Sequence, residues 1–168
     1  VSRLDREKNP LLLADVLAEL GEGWHLTVVG TGPLEGELRK RAAELGVASR
    51  IDLRGAMPFG PELFAAYGDS DVFVHVSWTE SVPQVLHEAM ASGVPIVATA
   101  VGGVAGAVDE GAVVLVPPGD ARAIADALRA LRADPERRAA MVAAGRASAR
   151  RETVAAQTSR IIPFLLGP

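Results

Sequence analysis

The sequence predicts an α/β domain built on a doubly wound parallel sheet with flanking helices. Three observations lead there. Short runs of Val, Ile and Leu at 25–29, 50–53, 72–76, 96–98 and 112–116 are continuously apolar rather than alternating, as strands buried on both faces are. Helical patterns at 10–20, 34–45, 61–67, 82–92 and 121–131 separate them, and βα alternation favours parallel strands with helices on both sides. Loops at 30–33, 54–60, 77–83, 99–103 and 117–120 follow the strands, and in open α/β sheets ligands bind outside these carboxyl ends.

Taken in order, Val1-Ser2-Arg3-Leu4 reads as the end of a strand entering a loop that runs to Asn9. The expectation is an excerpt of a longer protein, cut close to a strand that the usual order places centrally. The first helix and strand then lead into Gly30-Thr31-Gly32-Pro33, a tight turn before the second helix. That turn lacks the third spaced glycine of a dinucleotide fingerprint, although glycine there also lets backbone approach a ligand. Arg54-Gly55-Ala56-Met57-Pro58 connects the next strand to its helix. Ser81-Val82-Pro83-Gln84 fits a capping box, with Ser81 as cap, Gln84 reaching back and Pro83 in the tolerant first turn. Gly102-Gly103 forms another glycine loop at the same edge of the sheet. Asp134-Pro135 starts a further helix, with Asp134 as cap and Pro135 at its first position, and a last helical stretch covers 153–166. The C-terminal helices thus occupy about 134–166 of one domain spanning 1–168, and the apolar 161–166 end needs a covering partner.

Composition narrows the function. A chain of 168 residues with 49% hydrophobic but 4% aromatic content builds one sizeable core from aliphatic side chains. Abundant Ala, Gly and Arg is the compositional bias of a GC-rich bacterium. A net charge of −4 offers no electrostatic case for nucleic acid. The absence of cysteine excludes disulfides and thiolate metal sites or nucleophiles, and suits a reducing cytoplasm. No apolar run approaches the roughly 18–20 residues of a membrane span, and no signal peptide is recognisable, so a soluble, cytoplasmic protein is expected. The histidines His25, His75 and His87 have no metal-ligand spacing, and His75 reads as a hydrogen-bonded core residue. Ser77 and Thr79 read as loop hydroxyls, not as parts of a triad.

The segment 79–99, TESVPQVLHEAMASGVPIVAT, carries the chemistry. A helix N-terminus suits a phosphate, whereas the carboxylates of Glu80 and Glu88 beside it repel phosphate and suit hydroxyls. Anion site plus hydroxyl acceptors describes a holder of a sugar attached to a diphosphate. Alone, Glu80 also reads as an exposed loop acid and Glu88 as a solvated helix acid. The small, apolar neighbours Val85, Leu86, Ala89, Met90 and Ala91 make an acid at 88 harder to explain that way.

The stretch DVFVHVSWTESVPQVLHEAMASGVPIVATAVGG resembles the C-terminal, donor-binding domain of retaining GT-B glycosyltransferases of family 4, the group 1 glycosyl transferases. SRLDREKNP, VVGTGPLEGELRKRAAELGV, IDLRGAMP and VLVPPGDARAIADAL extend the resemblance in order over nearly the whole chain. It implies a Rossmann-like half of a GT-B fold whose other half, an N-terminal acceptor-binding domain, is absent here. Arg3 and Lys8 match the basic pair that holds the donor diphosphate, Glu80 the acid that accepts the donor sugar's hydroxyls, and Glu88 the acid that binds ribose. Ser81, Val82, Gln84 and Val85 match the loop whose N–H groups face sugar and phosphates, where Pro83 has none to offer. Gly55, Ala56 and Met57 match the segment flanking the nucleobase, and Gly30 and Gly32 the turn at the donor site.

The resemblance further implies a UDP-, GDP- or ADP-sugar substrate, no cofactor, no metal, and transfer to an acceptor hydroxyl with retention. Any membrane-surface association would come through the absent domain. Half a cleft leaves the acceptor unplaced, so this chain alone is expected to bind without transferring. Alternatives are a non-catalytic sugar-nucleotide binding module, a GT-B-type epimerase or phosphorylase domain, and an α/β scaffold for oligomer contacts.

Overall fold

A computed structural model describes residues 1–162 apart from 82, 110, 154, 157, 160 and 161. The expected 153–166 helix and its apolar end therefore fall largely outside the described residues, as does Val82. The elements follow as α1 (Leu11–Leu20), β1 (Leu26–Val28), α2 (Glu35–Glu44), β2 (Ile51–Leu53) and α3 (Pro61–Gly68). Then come β3 (Phe73–His75), α4 (Gln84–Ser92), β4 (Ile96–Thr99), α5 (Val104–Ala107), β5 (Val113–Val116), α6 (Ala121–Ala133) and α7 (Pro135–Arg151). Every strand pair is parallel. The doubly wound architecture expected from the apolar runs is present, with the short helix α5 and a 3-10 turn at Ala48–Arg50 in addition.

Strand β4 shows why the runs are continuous. All four of its residues are buried, because helices cover both faces. Ile96 and Ala98 join a cluster with Leu63, Leu86, Ala89 and Met90 from α3 and α4, whereas Val97 packs with Ile124 and Leu128 of α6 and Leu12 and Val16 of α1. Successive residues serve opposite layers, as the two-residue period of a strand requires.

The ladder is divided in two. β1 pairs with β2, and β3, β4 and β5 form a second sheet in that order. Between β1 and β3 lies a cavity of 330 Å³ lined by edge residues of both, including Leu26, Val28, Phe73 and Val74. Val1 and Ser2 also line it. The Ser2 N–H donates to Val29 O and the Leu4 N–H to Thr31 O, each at 2.9 Å, extending β1's neighbourhood by two rungs. Helix α1 straddles the division, with Leu12 and Val16 in the cluster above and Ala14 and Leu17 packed with Leu38, Ala42 and Val47 beside β1 and β2.

Two helix starts repay comparison. Asp134 accepts a hydrogen bond from the Arg137 N–H at 2.9 Å, and Pro135 occupies the first turn of α7, as the sequence indicates. The capping box at α4 does not form. Pro83 is itself the residue before the helix, in extended conformation, and no side chain caps the end. Ser81 lies too far upstream because the adjacent Glu80 carbonyl is held by the Gly103 N–H at 2.9 Å. Glu88 consequently stands just over one turn into α4, nearer its start than the capping pattern implies. Among the described residues no helix is long and apolar enough to cross a membrane.

Candidate donor-binding site

The loops at the carboxyl ends of the strands are fastened to one another by backbone contacts, and glycine makes these possible. A side chain at Gly30 would overlap the Ser2 carbonyl oxygen, and one at Gly32 the Leu4 carbonyl. The close approach allowed by this turn is therefore taken by the chain's own residues 2–4. The Gly102-Gly103 loop does the same for the loop after β3, since side chains there would overlap the carbonyl oxygens of Glu80 and Ser81. The Trp78 N–H donates to Glu7 O at 2.7 Å, tying that loop to the Arg3–Asn9 segment. The Thr99 hydroxyl donates to Ser77 O at 2.8 Å and fixes it to the end of β4.

This bracing brings Lys8 and Glu80 together. Lys8 Nζ lies 2.6 Å from Glu80 Oε1, with side chains 20% and 7% exposed. His75 Nε2 sits 2.9 Å from the same oxygen, off the direction of a well-formed hydrogen bond. Burial pushes the Glu80 carboxyl up, but the Lys8 hydrogen bond, the nearby Ser77 hydroxyl and the charges of His75 and Lys8 outweigh it and hold it below the ordinary value. Burial lowers the His75 pKa and the charge on Lys8 reinforces the effect, against the opposing pull of Glu80, so the imidazole is neutral at pH 7. Ser77 is fully buried rather than an open loop hydroxyl. Arg3 stands apart from this group, 72% exposed and paired with Asp5 at 3.0 Å and Glu7 at 3.6 Å.

Glu88 is held from the other side. The Tyr67 hydroxyl on α3 donates to Glu88 Oε2 at 2.9 Å, and Tyr67 is only 2% exposed. Ser81 and Gln84 are exposed at the start of α4, while Val85 is half-buried against the core. Gly55 has a positive φ of 69° and its carbonyl accepts from the Gly30 N–H at 2.7 Å, joining the β1 and β2 loops. Ala56 is exposed and Met57 packs onto the core. No group of three His, Asp or Glu side chains among the described residues is placed to hold a metal ion.

Three residues here escape a reading of the sequence alone. Tyr67 is the chain's one tyrosine, and a tyrosine in an apolar helix needs a partner for its hydroxyl. That signal, with the unexplained acid at 88, was available to pair them. His75 announces only its burial, because the turn that brings Glu80 back to it is not encoded in spacing. Trp78, half-exposed and set against Gly119 of the β5–α6 loop, carries no local pattern that announces this contact.

Known proteins agree with this architecture. The family model for glycosyl transferases group 1 matches residues 1–148. The D-inositol 3-phosphate glycosyltransferase of Corynebacterium urealyticum is 37% identical over 153 residues, covering 84% of this chain and 36% of that protein. The sulfoquinovosyl transferase SQD2 of Arabidopsis thaliana is 32% identical over 165 residues, covering 96% of this chain and 31% of that protein. Among solved structures, Anabaena HepE in complex with UDP superposes with a TM-score of 0.88 at 27% identity, covering 98% of this chain and 46% of that one. The C-terminal domain of LpcC from Francisella tularensis shares the fold, with a TM-score of 0.78 over 89% of this chain and 82% of that one. The chain thus spans about a third of the length of the curated relatives it matches. With Glu80 and Glu88 at the carboxyl ends of a parallel sheet and a family match over most of its length, the chain belongs to the glycosyl transferases group 1 family.

Proposed function

We propose that this chain is the donor-binding half of a retaining, family-4 hexosyltransferase, which moves a sugar from a nucleotide-diphosphate sugar to an acceptor hydroxyl. The observation that carries it is the pair of carboxylates, Glu80 and Glu88, set around the exposed start of α4. The first turn of α4 offers N–H groups to the diphosphate, with Ser81, Gln84 and Val85 around it. Glu88 takes the ribose hydroxyls and Glu80 those of the donor sugar, while the backbone at Gly55, Ala56 and Met57 flanks the base. Gly30 and Gly32 shape the floor by admitting residues 2–4 beside them.

Arg3 and Lys8 supply positive charge where negative charge grows as the diphosphate leaves, the largest electrostatic demand of the reaction. Arg3 reaches it cheaply, because its pairs with Asp5 and Glu7 are solvent-exposed and weak. In the transfer, the bond from the anomeric carbon to the diphosphate oxygen breaks and its electron pair stays with the diphosphate. The acceptor oxygen bonds to the same face of that carbon, and its proton passes to the departing phosphate. A metal ion has no assigned part, since cationic side chains and the helix start meet the charge. Support for a sugar-nucleotide donor comes from HepE, whose structures hold UDP and UDP-glucose.

The second half of the cleft belongs to an N-terminal acceptor domain, and the whole enzyme works in the cytoplasm. The 168 residues alone act as a binding module, because they neither place an acceptor nor exclude water. Calorimetric titration with UDP, GDP and ADP, in wild type and Glu88→Ala, tests this. One nucleotide should bind selectively and lose at least about tenfold in affinity in the variant. A folded sample that binds none of the three overturns the reading, and sugar transfer above a protein-free control overturns the claim of inactivity.

A further inference from the structure

The Tyr67–Glu88 contact asks for an explanation that packing does not supply. A tyrosine 2% exposed, ringed by Phe64 at 6.5 Å and Phe73 at 5.4 Å between centroids, would fill its place equally well as phenylalanine. The hydroxyl is aimed instead at a carboxylate on the neighbouring helix. It donates to Oε2 of Glu88, and no described residue donates a hydrogen bond to Oε1. A carboxylate carries about four acceptor positions, so fixing one oxygen leaves the other intact as an acceptor while removing rotation about the last torsion.

We propose that Tyr67 is the positioning residue of the ribose subsite: its hydroxyl pins Glu88 Oε2 to α3 so that Oε1 meets the ribose hydroxyls in one fixed orientation. This deepens the donor-site reading and rests on it. Three features support the assignment. The donor is rigid, because the ring is wedged edge-on against Phe73 and a tyrosine has two torsions to restrain. It is permanent, because burial first, and then the hydrogen bond and negative charge of Glu88, raise the phenol far above its ordinary value and keep the proton in place. It is also directional: the donor sits on α3, which packs beside α4, so the oxygen it holds is the one turned towards α3. A preorganised acceptor loses less freedom on binding than one that must be ordered by its ligand.

The test separates positioning from packing by removing hydroxyls on either side. UDP and GDP, and their 2′,3′-dideoxy analogues, are titrated into wild type, Tyr67→Phe, Glu88→Ala and the double variant. Tyr67→Phe should melt cooperatively like wild type and bind the ribonucleotide about five- to tenfold more weakly, with affinity for the dideoxy analogue unchanged. In the Glu88→Ala background the same substitution should have no further effect. A ribonucleotide affinity unchanged in Tyr67→Phe, alongside a loss in Glu88→Ala, overturns the role of Tyr67 and leaves the ribose reading standing. Equal weakening for ribo- and dideoxynucleotides overturns it too, since that is the signature of a disturbed core. Glu88→Ala without effect, or no binding of either nucleotide, fells the ribose reading and the inference together.

Discussion

Lys8 Nζ stands 2.6 Å from Glu80 Oε1, across 72 residues of chain. The contact joins the two conspicuous charges of the site before any ligand arrives, and it does so with little exposure of either side chain. A pair this protected costs more to halve than to replace, because the surviving charge remains desolvated. Lys8→Met should therefore destabilise the chain by about 2 kcal/mol, and Glu80→Gln by less, since the amide keeps shape and one acceptor. Urea unfolding measures both. Equal midpoints for wild type and Lys8→Met would show that the pair contributes nothing.

His75 and Glu80 give stability two acid limits. Both have folded pKa values below their ordinary ones, so both contribute above the unfolded value and lose that contribution as pH falls. The His75 contribution starts to fade below its reference of 6.5, that of Glu80 only below 4.5. Wild type should thus lose melting temperature between pH 8 and about pH 5.5, well above carboxylate titration. His75→Gln should remove the part of that loss below pH 6.5 and keep both the Glu80 loss and the loss above pH 6.5 from the Val1 amine, whose pKa burial lowers to about 6. Melting curves that are level from pH 8 to 5.5 in wild type exclude a buried neutral imidazole.

Two glycines only six residues apart should respond oppositely to alanine. At Gly30 the added carbon meets the Ser2 carbonyl and φ is 135°, so Gly30→Ala should cost about 2–3 kcal/mol. Gly36 lies in the first turn of α2 with open space around it, and Gly36→Ala should stabilise by about 0.5 kcal/mol. Denaturant unfolding of the two variants decides it, and a Gly30→Ala protein as stable as wild type would mean that residues 2–4 do not need their place beside the turn.

Arg3 offers a clean assignment of charge. If it serves the diphosphate, Arg3→Ala should weaken UDP about tenfold and leave uridine untouched, with the UDP difference shrinking as salt is raised. Its exposure means the fold should be indifferent, so the melting temperature acts as the control. Parallel loss of uridine binding would assign Arg3 to the nucleoside instead.

Much of this was legible from residues alone, and the failures have physical causes. The five strands stand where their apolar runs lie; in β4 burial on both faces leaves no room for a polar register, whereas β1 and β2 turn Thr27 and Asp52 to solvent. The start of α4 was displaced because capping propensity at Ser81 competes with the Gly103 hydrogen bond at Glu80, a tertiary contact that no local pattern reports. Glu80 and Glu88 were singled out by type and setting. The partners that define their geometry, Lys8, His75 and Tyr67, come from three other segments, and only the fold brings them near. The division of the ladder between β1 and β3 likewise follows from pairing, which residue type does not fix.

That division has a mechanical consequence. Lys8 belongs to the segment leading into α1, and Glu80 to the loop leaving β3, so their 2.6 Å separation is gauged across a seam and not along one continuous ladder. Helix α1 is the pin through the seam, with one face in each core. Whatever wedges the two strand edges apart or draws them together is transmitted through that pin to the Lys8–Glu80 pair. The tightness of the site is thereby a property of how the two sheets are sewn together.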